Sequence, residues 1–225
     1  MNRARCVHQS SRISDSVIQG AVIQMNPSIL QQCDVMEFYS MVKCSFENGN
    51  PEENACRLAY NDMKRTLRGF GKCERKDVIK SEVQKLLQTE LLELLNDARC
   101  LDEDEFDEKH LRICKKMKDV FSDSYTLTFG HAQKWTNMFF KYMYIADERM
   151  NGLLPFLHIP IDSIVLDGIE RNDFPYKIKQ YIPKCRPWSK MDDYDVYIGF
   201  QREFRTSFKR PLLHEFCLWN KWHNK

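Results

Sequence analysis

The stretch from 127 to 169, LTFGHAQKWTNMFFKYMYIADERMNGLLPFLHIPIDSIVLDGI, decides how the rest of the chain is read. Trp135, Met138, Phe139, Tyr142 and Met143 recur at spacings of three and four, which predicts a largely apolar helix lying in the core. Gly130 and Ala132 stand just before Lys134, and such small residues allow a sharp turn into that helix. Backbone N–H groups left free at a helix start can sit against a phosphate. Asp162 follows Lys134 by twenty-eight residues, after His158-Ile159-Pro160-Ile161. Pro160 disfavours a helical Ile159, so a new helix is expected to begin near 161 or 162 with Asp162 as its cap.

Outward from this stretch the pattern stays helical. A short helix is expected over 14–25, capped by Ser14 or Asp15 and broken at Asn26-Pro27. Another is expected over 34–45, burying Val35, Phe38, Tyr39, Val42 and Phe46. Asn50 caps a helix that has Pro51 at its first position and Glu52 and Glu53 at its positive end, expected to run to 68 and stop at Gly69. Val78, Val83, Leu86, Leu87, Leu91, Leu94 and Leu95 predict a helix over 74–96. Residues 101–107 read as an acidic linker or first turn, followed by a helix over 110–121. After the central stretch come a short helix ending before Pro183, a turn at Pro187-Trp188-Ser189, a helix over 192–208 and a last one over 212–222. The reading is an all-α protein of about ten helices, either one domain over 1–225 or two lobes over 14–125 and 126–225. The helices over 127–144 and 162–170 are expected to meet at a cleft. Residues 156–165 are the one stretch that also reads as a strand.

Composition narrows the class. The chain has 225 residues, 43% hydrophobic and 29% charged, with only eight Gly and eight Pro, as in a helical globular protein. No apolar run is long enough for a transmembrane helix and no signal-peptide core is visible, so a cytoplasmic protein without membrane contact is expected, nucleoid-associated if bacterial. The nine cysteines have irregular spacing and form no CxxC. An odd count suits no complete disulfide set, and no close ligand pairs point to zinc. No Gly-rich nucleotide loop is present either, so neither metal nor cofactor is expected. Residues 171–225 hold twelve Lys/Arg against six Asp/Glu, a net +6, against −4 over the first 170. A basic C-terminal quarter is compatible with a phosphate-rich partner.

Each candidate functional residue has a plainer reading beside it. Lys134 either snorkels with its amine in water or is buried enough to serve as a nucleophilic amine. Asp162 caps a helix and can also stabilise positive charge developing on a sugar ring. His131 is either an exposed residue at a helix start or a contact to phosphate or base. Trp188 is either core packing or part of a base-stacking wall. Gln201 is either an edge residue or a hydrogen-bond partner of an extruded base.

The octapeptide Gly130-His131-Ala132-Gln133-Lys134-Trp135-Thr136-Asn137 resembles the hairpin of the helix–hairpin–helix DNA glycosylases, in which a Gly-x-Gly-x-Lys turn leads into a helix. Pro160-Ile161-Asp162-Ser163-Ile164-Val165 is similar to their later Val-Asp-Thr-His-Val segment. The likeness covers about forty of the 225 residues, nearest to the 8-oxoguanine branch without an iron–sulfur cluster. Ala132 replaces the second glycine, and Leu-Thr-Phe replaces the usual Leu-Pro-Gly. The resemblance implies that Lys134 attacks the sugar carbon and Asp162 assists base departure, while Gly130, His131 and Gln133 grip the DNA backbone. It implies a monomeric enzyme that excises a modified base from DNA, with or without abasic-site lyase activity, in repair of the host genome or in antiviral defence. Two other classes stay open: a non-catalytic helical nucleic-acid-binding protein, and a helical protein-interaction module.

Overall fold

The computed structural model describes residues 33–46 and 49–223, and the helix expected over 14–25 lies outside them. Among the described residues there is helix and no strand: α1 (Cys33–Val42), α2 (Pro51–Met63), α3 (Lys76–Asp97), α4 (Glu103–Phe121), α5 (Phe129–Ala146), α6 (Ser163–Arg171), the single turns α7 (Tyr176–Lys179) and α8 (Ile182–Cys185), α9 (Tyr194–Ser207) and α10 (Pro211–His223). The fold is all-α. One contiguous cluster of buried apolar side chains runs through it from Val35 to Leu218.

Local chemistry sets the helix ends. Asn50 accepts from the N–H groups of Glu52 and Glu53 at 2.8 and 3.2 Å, with Pro51 opening α2. That helix gives way at 64–66 to a 3-10 turn, short of 68, and Gly69 then reverses the chain with φ at +90°. Of the two readings of the acidic segment after Leu101, linker or first turn, the structure shows the first turn. Asp102 and Glu105 form a reciprocal capping box, and α4 begins at Glu103, the first-turn acids complementing its positive end. Pro183, expected to lie beyond a helix, sits instead in the first turn of α8, where the missing N–H costs nothing.

The axis of the molecule is α5, in which every residue from Phe129 to Ile145 is buried. It packs against α2 and α4 and against the 188–190 turn, while α10 lies across α6 and α1. A helix buried all round carries polar residues at a cost unless each finds a partner. Here Gln133, Lys134, Asn137 and Lys141 do, while the Thr136 and Tyr144 hydroxyls have no hydrogen-bond partner among the described residues.

The strand-like segment 158–162 is extended but pairs with no strand. Ile159 donates its N–H to Gln201 Oε1 (3.1 Å) and accepts from Gln201 Nε2 (2.8 Å). Ile161 does the same with Gln133, at 3.1 and 2.9 Å. Two glutamine amides thus supply the donors and acceptors of a neighbouring strand on alternate residues, with Pro160, which has no N–H to satisfy, between them. This clamp holds the chain straight until Asp162 starts α6. Its Oδ1 accepts from Val165 N–H at 2.9 Å. No helix among the described residues is long and apolar enough to cross a membrane.

Candidate active site

Lys134 lies in the second turn of α5, and Asp162 ends the clamped segment. The structure brings them into contact: the Lys134 amine donates to Asp162 Oδ2. With 4% and 7% of their surface exposed, both are buried except where they meet a cleft. Two adjoining cavities of about 320 and 420 Å³ share Asp62, Arg65, Lys134, Asp162 and Ile164 as their lining. The first is walled by Phe38, Met138, Tyr142 and Trp219, and the second by Thr66, Ser163 and Trp188. An amine and a carboxylate therefore form the floor of a groove with apolar and aromatic sides, bordered by Lys64 and Arg65. Arg65 makes no ion pair among the described residues, and the Lys64 amine reaches only Asn61, at 3.0 Å.

The remaining sequence candidates divide. Trp188 lines the cavity that holds Lys134 and Asp162. His131 is buried against it, with ring centroids 5.9 Å apart and its Nδ1 2.7 Å from Thr128 Oγ1. Burial lowers the His131 pKa, against a smaller opposing effect of the Thr66 backbone. Gln133 and Gln201 are fully buried, and their amides are consumed by the clamp on Ile161 and Ile159, so neither is free for a phosphate or a base.

The start of α5 is closed as well. Phe129 N–H donates to Asp192 Oδ1 (2.7 Å) and Gly130 N–H to Met191 O (2.7 Å). His131 N–H donates to Thr128 Oγ1 (3.2 Å) and Ala132 N–H to Thr128 O (3.1 Å). The orphan N–H groups of Phe129, Gly130 and His131 are satisfied from within the chain and Ala132 makes the first helical bond, so the expected phosphate grip at Gly130, His131 and Gln133 has none of these N–H groups to work with. Gly130 is glycine because of packing: a Cβ there would lie 1.9 Å from the Trp188 carbonyl oxygen. Part of the basic C-terminal quarter is likewise committed. Arg186 pairs with Asp167 and Glu170, Arg202 with Asp104 and Asp107, and Arg205 with Asp107.

Two groups of the site were not singled out in the sequence. Asp62 faces both cavities, and its Oδ2 accepts from the Tyr142 hydroxyl at 2.8 Å. Although the residue stands at the surface, the cleft walls desolvate its carboxyl and raise the pKa above the ordinary value. Lys134, the Tyr142 hydroxyl and Lys141 oppose that rise, while Asp162 adds to it. A signal was available, since residues 55, 59, 62 and 66 form one stripe of α2 and its 3-10 extension, and an acid interrupts it. Behind the cleft, Lys141 and Glu215 form a second ion pair, at 2.9 and 2.7 Å, with no exposed surface on either side chain.

No protein-family model, curated protein or solved structure matches the chain.

Proposed function

We propose that this chain is a DNA glycosylase with abasic-site lyase activity, acting on a nucleotide flipped out of the duplex into the Lys134–Asp162 cleft. One observation carries the reading: a lysine amine and an aspartate from distant segments meet at the floor of an aromatic-walled groove. The cavity volumes suit an extruded base and sugar, and Trp188 offers a ring face for stacking. On this reading Lys64 and Arg65 at the border take the flanking phosphates, in place of the closed start of α5.

In this scheme the Lys134 ammonium passes one proton to Asp162 and attacks C1′ through its lone pair. The bond from C1′ to the base breaks, and its electron pair leaves on the base nitrogen, which takes a proton from solvent. Asp162 then gives its proton to the ring oxygen as the C1′–O4′ bond opens, and receives the second proton of the attacking nitrogen. What remains is a protonated Schiff base on Lys134. The clamp by Gln133 and Gln201 keeps Asp162 in register with the amine, and such pre-set geometry is where much of the rate comes from.

Borohydride reduction in the presence of duplex DNA with a preformed abasic site tests the reading. The expected result is a covalent protein–DNA adduct that Lys134→Ala abolishes. Failure of the wild-type protein to form any adduct would overturn it.

A structural reading has one observation in its favour: Asp162 caps α6 with one oxygen and holds Lys134 with the other, so the pair ties α5 to α6. On that reading Lys134→Ala lowers stability and there is no adduct to lose, so the same experiment separates the two.

A further inference from the structure

Among the described residues lining the cleft, Asp62 is the one carboxylate without a part in the proposed Schiff-base chemistry. It reaches the cleft from α2, opposite the amine and carboxylate supplied by α5 and α6, and lines both cavities with them. The Tyr142 hydroxyl fixes its Oδ2, and its Oδ1 has no hydrogen bond among the described residues. Its charged surroundings are Lys134, Asp162 and Lys141, with Lys64 and Arg65 along the same border. A carboxylate in this position is held on one oxygen and has the other unpaired in the cavities it shares with Lys134.

We propose that Asp62 is the base that removes the C2′ proton from a sugar held on Lys134, so that the cleft nicks the strand by β-elimination. The inference rests on the reading of Lys134 as the Schiff-base nucleophile. In the step, the C2′–H bond breaks, its proton goes to Asp62 Oδ1, and its electron pair forms a C1′=C2′ enamine, neutralising the iminium nitrogen. The pair then returns to form C2′=C3′ as the C3′–O bond breaks, and the 3′ phosphate departs with the electrons of that bond. Water adds to the regenerated iminium carbon and releases Lys134, and Asp62 gives up its proton to solvent at the open border. Desolvation favours this assignment, because a carboxyl held above its ordinary pKa is a stronger base when ionised.

Formation of the Schiff base needs no base at C2′, so the two steps can be read separately on one substrate. Duplex DNA carrying a preformed abasic site is incubated with wild-type protein and with Asp62→Asn. Borohydride adduct and strand scission are then measured in parallel, and the scission is repeated on a sugar deuterated at C2′. Asp62→Asn is expected to keep the adduct within a few-fold and to lose scission by about 100-fold, the usual scale for a general base. The wild-type protein is expected to cut the deuterated strand more slowly. The retained adduct also reports that the variant is folded.

Equal loss of adduct and scission in Asp62→Asn would assign the residue to holding the site together and overturn the proposal. Scission unchanged in the variant would overturn it too, as would a wild-type protein that forms the adduct but never cuts. In all three cases the Schiff-base reading of Lys134 survives. A wild-type protein that forms no adduct overturns that reading, and this one with it.

Discussion

Lys134 and Lys141 stand two turns apart on the central helix, and each is paired with a carboxylate from a later segment. The Lys134–Asp162 pair opens onto a cleft, while the Lys141–Glu215 pair is sealed. Around the Lys141 amine stand the rings of Phe38, Phe216 and Trp219, with centroids at 4.2, 4.6 and 5.3 Å. Burial pulls the Lys141 pKa down and pushes that of Glu215 up, and each is supported against that loss by the other's charge. Phe38 and Trp219 also line the open cleft, so the sealed pair braces a wall of the open one. The same two functional groups therefore differ in access: one amine lines a cleft, and the other is enclosed in the core.

The sharpest way to break this contrast is to remove each amine in turn. Lys141→Met leaves Glu215 charged and unpaired in the core, which costs about 3–5 kcal/mol, measured by urea unfolding. Adding Glu215→Leu should recover most of it, because a sealed pair can be replaced by apolar groups of similar volume. Lys134→Met should cost distinctly less, since Asp162 keeps its role as helix cap and faces water in the cleft, yet it should remove the borohydride adduct entirely. Equal stability losses at the two lysines would erase the distinction between open and sealed.

A second sealed cluster should respond to acid. Asp107 accepts a two-pronged contact from Arg205, at 2.7 and 2.8 Å, and lies 2.8 Å from His158 Nε2, while Nδ1 of that ring lies 2.8 Å from the Tyr197 hydroxyl. Burial pushes the His158 pKa from 6.5 down to about 4, with the Arg205 charge adding to the fall and Asp107 opposing it. His110 is shifted in the same direction, chiefly by burial. Both histidines are neutral when folded and take a proton more readily when unfolded. Their contribution is therefore complete above the unfolded pKa of about 6.5 and is lost as the pH falls toward 4. The loss from His158 alone is on the order of 3 kcal/mol, and His158→Gln should flatten that part of the stability–pH curve. A protein whose urea midpoint is unchanged between pH 7 and pH 5 would contradict the assignment.

The open pair was legible in the sequence and the sealed groups were not, for a physical reason. Lys134 and Asp162 each stand at a boundary, one beside a small-residue turn and the other after a proline, where local rules single out individual residues. Lys141 sits mid-helix between Phe140 and Tyr142, its partner is seventy-four residues away, and nothing local marks it. Asp107 was read only as part of an acidic linker or first turn for the same reason, its partners being fifty-one and ninety-eight residues downstream. Helix positions came through because apolar periodicity is a property of neighbours. Gln133 and Gln201 were misjudged because a polar residue on a buried face reads as a ligand contact until the backbone it satisfies is known. Gly130 was assigned to phosphate by its place before a helix, whereas the close approach of Trp188 is what requires it.

The finest test of the contrast concerns cations rather than amines in the core. Arg65 borders the cleft with no ion pair among the described residues, whereas Arg202 is held by Asp104 and Asp107 at 2.9 and 3.0 Å. Only a cation free to meet a phosphate releases counterions on binding. Arg65→Ala should therefore weaken binding of abasic-site duplex a few-fold, and the slope of log affinity against log salt should shrink by about one. Arg202→Ala should leave that slope unchanged, because the charge it removes is already neutralised within the chain. Fluorescence anisotropy across a salt series reads both variants. A slope that falls for Arg202 and not for Arg65 would contradict the proposed binding of DNA at the Lys134 cleft.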